Sequence, residues 1–130
     1  MNTGVMRDTI TKSLDGTMAF PEIVGLLMAE GVERYHADLE RLEKTFYMPD
    51  GSTHVERMAI EPLAIGEDFD VTAVKATILD SQINGQKYPD FLRRVTAAGS
   101  TDYFVYLNGK KAIYFGRNGD FHIEEFPGTK

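Results

Sequence analysis

Gly51, His54 and Glu56 recur as Gly119, His122 and Glu124, 68 positions further on (119 − 51), and the same ungapped offset keeps finding partners upstream. Phe20-Pro21-Glu22 meets Tyr88-Pro89-Asp90, Ala29 and Gly31 meet Ala97 and Gly99, and Tyr35 and Leu39 meet Tyr103 and Leu107. Phe46-Tyr47 answers to Tyr114-Phe115, and Thr9-Ile10 and Ser13 to Thr77-Ile78 and Ser81. One register that holds helix, turn and strand signals together constrains the fold more than any single motif. It predicts two copies of one unit, about residues 3–58 and 71–126, with a linker at 59–70.

Each unit reads as two helices followed by three strands. Met6, Ile10 and Leu14 recur at helical spacing before Gly16, and Val71, Val74, Ile78 and Leu79 do so before Asn84-Gly85. Asp70 is the expected N-cap of the latter. Pro21 and Pro89 open the second helix of each unit, where a missing N–H costs nothing, and each is followed by an acid suited to the helix dipole. Ile23, Leu26 and Leu27 predict one apolar face, Phe91, Leu92 and Val95 the other. The stretch from Thr101 to Phe126 predicts a three-stranded meander with two-residue hairpin turns at Asn108-Gly109 and Asn118-Gly119. The first copy keeps Asp50-Gly51 but has Glu40-Arg41 at its first turn, which predicts a looser bend there. The expected fold class is α+β: two helix-helix-three-strand units related by a pseudo-twofold, their six strands forming an antiparallel sheet with helices packed on one face.

With 130 residues and 42% hydrophobic content, the chain predicts one globular domain, 1–130, able to bury a core. The absence of cysteine excludes disulfides, thiolate metal sites and thiol nucleophiles. A net charge of −6 argues against nucleic acid as a partner, and the short pairs Arg93-Arg94 and Lys110-Lys111 read as a helix face and a turn. Neither a secretory signal nor a spanning apolar run is expected, so the chain is read as cytoplasmic without a membrane partner.

The run Phe20-Pro21, Gly31-Val32, Tyr35, Asp38-Leu39, Phe46-Tyr47 and Asp50-Gly51 resembles the YdfO-like family of small bacterial proteins, several of them prophage-borne. The match is densest from Thr17 to Gly51, and Phe46 stands where that pattern has a second tyrosine. The resemblance implies an α+β fold, a bacterial or phage origin and no established activity, so it supplies no catalytic residues.

Two groups of residues are candidates for chemistry. His54-x-Glu56 and His122-x-Glu124 each place an imidazole beside a carboxylate on one strand face. If the pseudo-twofold brought both together, they would make a two-His, two-carboxylate centre for a divalent metal, and hence a metal-dependent enzyme. The competing expectation is two solvated strand faces opposite inward-facing Val55 and Ile123, without any cofactor. His36-x-Asp38 breaks the repeat, because its counterparts are Phe104 and Tyr106. These four are the candidate ligand or partner-binding residues: a base oriented by a carboxylate, or an outward aromatic patch on strands whose Tyr35, Ala37 and Leu39 point inward. No acid, base and nucleophile set can be assembled. The functional expectation is a non-enzymatic binding module for a protein or small apolar ligand.

Overall fold

The computed structural model describes residues 2–127. Its elements run α1 (Thr3–Leu14), α2 (Phe20–Ala29), β1 (Arg34–Asp38), β2 (Glu43–Tyr47), β3 (Thr53–Arg57), α3 (Val71–Asn84), α4 (Tyr88–Ala97), β4 (Ser100–Tyr106), β5 (Lys111–Gly116) and β6 (Phe121–Glu125). This is the expected α+β class, with helix, helix and three strands occurring twice in that order. Local chemistry explains the boundaries. Asn2 and Asp70 accept hydrogen bonds from Val5 N–H and Ala73 N–H, capping α1 and α3, and Gly85 closes α3 in the left-handed region. Pro21 and Pro89 sit in the first turns of α2 and α4.

All six strands form one antiparallel sheet in the order β3-β2-β1-β4-β5-β6. The two halves therefore join at a seam between β1 and β4. Across it His36 stands opposite Phe104, and these are themselves counterparts at the offset of 68 (104 − 36). The pseudo-twofold thus passes through that pair, and the seam's outer bonds obey it. Leu39 N–H donates to Thr101 O at 3.0 Å, and its counterpart Leu107 N–H donates to Glu33 O at 3.1 Å.

The hairpins depart from expectation. At Asp50-Gly51 and Asn118-Gly119 the loops are three residues long, closed by Met48 N–H to Ser52 O and Gly116 N–H to Asp120 O, both 2.9 Å. Gly51 and Gly119 occupy the left-handed region at φ 90° and 85°, the conformation that ends such a loop and that glycine alone adopts without strain. Asn108-Gly109 lies within a four-residue turn whose left-handed residue is Lys110 (φ 55°). Leu42 holds the same conformation (φ 58°) at the equivalent place in the first copy, so the turn at Glu40-Arg41 is not looser but matched.

The helices cover one face of the sheet. Met6, Ile10, Ile23, Leu27, Val74, Ile78, Phe91, Leu92 and Val95 pack there on Tyr35, Ala37, Phe46, Tyr103, Val105 and Tyr114. Leu26, expected in this layer, is 41% exposed. Among the described residues, the opposite face of the sheet carries no helix.

Candidate functional site

The uncovered face is a grid of six strands by three rows. Strand register places Val55, Thr45, His36, Phe104, Ile113 and Ile123 in one line that crosses the whole sheet through the pseudo-twofold. Four of these six are large apolar residues, and the outer two, Val55 and Ile123, are 49% and 46% exposed. On one side runs a row of Arg57, Glu43, Asp38, Asp102, Phe115 and Phe121; on the other, Thr53, Tyr47, Arg34, Tyr106, Lys111 and Glu125.

At the centre the side chains interlock. The His36 ring lies 4.5 Å from that of Phe104, which stacks on Tyr106 at 5.6 Å and 24° and approaches Tyr47 at 6.3 Å. Arg34 holds its guanidinium carbon 4.3 Å above the Tyr47 ring, a cation–π contact at the rim of the cluster. His36, Phe104 and Tyr106 thus lie together on the open face, each half-buried by its ring neighbours. Asp38 shares the face but does not orient His36, because its Oδ1 accepts the N–H groups of Glu40 and Arg41 in the β1–β2 turn. The carboxylate that His36 meets is Asp102, across the seam: Nε2–H donates to Oδ2 at 2.8 Å. The bond from His36 holds the Asp102 carboxyl below its ordinary range against the opposing effect of burial, helped by the Thr101 hydroxyl at 2.7 Å.

The paired His-x-Glu motifs do not converge. His54 and Glu56 lie on β3 and His122 and Glu124 on β6, the two outer strands of the sheet. Five strand spacings of about 4.8 Å put the pairs roughly 24 Å apart, far beyond the reach of one ion. No group of three or more His, Cys, Asp or Glu is disposed to hold a metal among the described residues. The expected facing is also reversed. Phe46 stands opposite His54 and Tyr114 opposite His122, so both motifs point to the helix side, whereas Val55 and Ile123 point to the open side. Each pair bonds internally, His54 Nε2 to Glu56 at 2.8 Å and His122 Nε2 to Glu124 at 2.9 Å. Arg7 of α1 adds a salt bridge to Glu56 at 3.1 Å, so this pair fastens the helix layer to the sheet edge.

One buried charge lies outside all the candidates. Lys44 on β2 is 4% exposed, its Nζ 4.5 Å from the centre of the Tyr88 ring and 5.2 Å from that of Tyr35. Burial pushes its ammonium down to about 7. Beside it, Tyr88 and Tyr103 share a hydroxyl–hydroxyl hydrogen bond, and burial raises the phenols of both. The signal for Lys44 was present in the repeat. Its counterpart is Ala112, and the alternation Leu42, Lys44, Phe46 puts it on the inner face.

A search of curated proteins finds no match to the chain. A family model does, over residues 6–125, which takes in both halves of the sheet, α2, α3, α4 and most of α1. The chain belongs to the family described as protein of unknown function (DUF1398).

Proposed function

We propose that this protein is a non-enzymatic interaction module whose open sheet face docks a protein partner. The observation that carries this reading is the line from Val55 to Ile123, which crosses all six strands with four apolar residues, His36 and Phe104 at its centre and Tyr106 stacked beside Phe104 from the next row. A solvated antiparallel face normally alternates to polar residues, so a broad apolar and aromatic face without a helix is what interfaces present. The face is broad and spans all six strands, which suits a protein surface better than a small ligand, whose sites are enclosed and concave. An open hollow of about 430 Å³ at the end of the seam, lined by Arg34, Tyr106, Asn108 and Lys111, adds relief for a partner's side chain. The YdfO-like resemblance supports a bacterial or phage origin for the protein and hence for its partner.

The test is a photo-crosslinking side chain placed at Phe104 in a bacterial host, with Thr11, exposed on α1, as control. Discrete adducts from Phe104 and none of the same mass from Thr11 are expected. Identical adducts from both, or none from Phe104, would overturn the proposal.

A further inference from the structure

We infer that the occupant of the open face is a second copy of this chain, packed sheet on sheet about a twofold axis that runs along the line from Val55 to Ile123. This inference rests on the reading of the face as an interaction surface and adds the partner and the symmetry operator. Its basis is the charge pattern. Positions related by the pseudo-twofold carry opposite signs three times over: Glu43 with Lys111, Arg34 with Asp102, and Arg57 with Glu125. In consequence the row beside Asp38 is acidic, three carboxylates against Arg57, while the row beside Tyr106 is basic, Arg34 and Lys111 against Glu125.

A face-to-face pair can be arranged about either of two in-plane axes, and charge decides between them. An axis parallel to the strands sets each row on its own copy, acidic on acidic, with Asp38 over Asp102 of the second copy. An axis along the central line sets each row on the opposite row. Arg34 then meets Asp38 of the second copy, and Asp38 meets its Arg34, while the four apolar residues of the central line, Val55, Phe104, Ile113 and Ile123, each face their own counterpart. Aligned sheets cross at about 30°, and residues of β1, beside the centre of the face, are displaced least by that rotation. Both groups keep a local partner in the single chain. Arg34 bonds Glu33 and Asp38 caps its turn through one oxygen, so neither is a buried unpaired charge before association.

The dimensions agree. Six strands about 4.8 Å apart and five residues of about 3.3 Å span a plane of roughly 480 Å² before side-chain relief. That is of the order of the ~800 Å² of accessible surface that each partner contributes to a standard interface. A self-complementary patch about a twofold is also the commonest arrangement of soluble oligomers.

Sedimentation of the intact chain, from micromolar to hundreds of micromolar, tests the inference. The wild type is expected to be a dimer. Arg34→Asp, which sets like charges over Asp38, is expected to weaken the dimer at least tenfold, as is Asp38→Arg. The double exchange Arg34→Asp/Asp38→Arg is expected to restore it, a recovery that a merely misfolded variant would not show. A monomeric wild type, or a dimer indifferent to both reversals, or a folded double variant that stays monomeric, would each overturn the inference. If the wild type is monomeric while Phe104 crosslinks to a different chain in cells, only the choice of partner falls. If Phe104 yields no adduct of any kind, the interaction reading falls with it.

Discussion

Lys44 shows how far a single residue can depart from what its neighbours in sequence suggest. In Glu43-Lys44-Thr45 it looks like part of a charged surface strand, yet its ring neighbours Tyr35 and Tyr88 enclose it and its ammonium drops from 10.5 to about 7. A base whose folded pKa is lowered destabilises the fold at pH values where the unfolded chain holds the proton. Below about 7 both states are charged and the full penalty applies, on the order of 5 kcal/mol from the size of the shift. Above that value the folded state sheds its proton first, so stability rises with pH until the unfolded lysine also titrates. Replacing Lys44 by Met, similar in length and free of charge, is expected to raise unfolding free energy at neutral pH by about 1–4 kcal/mol. It should also flatten the rise between about pH 7 and 9, as urea titrations across that range would read. A destabilised Lys44→Met with the slope unchanged would mean that the two ring contacts outweigh the cost of burial.

At the scale of elements, the helices and the number of strands were legible because their signals are local and were written twice. Asp70, Pro21, Pro89 and Gly85 act through the few backbone groups next to them, so their meaning does not depend on the rest of the fold. The facing of the outer strands was not legible. Thr53–Arg57 and Phe121–Glu125 each alternate apolar with polar residues, and a shift of one residue exchanges the two faces. The register is decided by the three-residue loops, which set His54 against Phe46 and His122 against Tyr114. On the outer strands the inward-facing residues are only half-buried, so a polar pair there stays satisfied as long as something bonds it. For Glu56 that something includes Arg7. Burial pushes its carboxyl up, but the bonds from His54 and Arg7 outweigh this and hold it below its usual range. A carboxyl with a lowered folded pKa contributes stability that is present above its unfolded pKa and lost as pH falls through the folded one. Glu56→Gln is therefore expected to cost about 1 kcal/mol at neutral pH and to lose that difference from wild type in acid. Glu124→Gln should cost less at neutral pH, since Lys75, the counterpart of Arg7, forms no ion pair with it among the described residues. Chemical denaturation of the three proteins across the acid range would check both, and equal losses would refute a stabilising role for the Arg7–Glu56 bridge.

On the scale of the whole molecule, the sheet is continuous while the chain is a tandem of two, and the connection between halves is a single linker. Most of that linker belongs structurally to the second half. Gly66 N–H donates to Thr96 O at 2.9 Å, Asp70 N–H to Ala98 O at 2.8 Å, and Arg117 reaches the Ile65 and Gly66 carbonyls at 3.0 and 3.2 Å. Gly66 also lies so close to the Ala97 carbonyl that a Cβ would collide with it, which ties the segment to the end of α4. What joins the halves is instead the β1–β4 seam, with Tyr35 and Ala37 packed beside Val105 and Tyr103 in a core shared by all four helices. Covalent continuity at Glu61-Pro62, both exposed, should therefore be dispensable once the protein has folded. A protease site inserted after Glu61 and cut in the native state is expected to leave two fragments that elute together at the volume of the uncut protein. They should part only in denaturant and melt in one transition that becomes concentration-dependent, because cutting turns an intramolecular seam into a bimolecular one. Fragments that separate under native conditions, or melt in two steps, would show that each half is a domain in its own right and that the seam is an accessory contact. Joint elution would show that neither half can do without the other's central strand, which would otherwise be a long open edge.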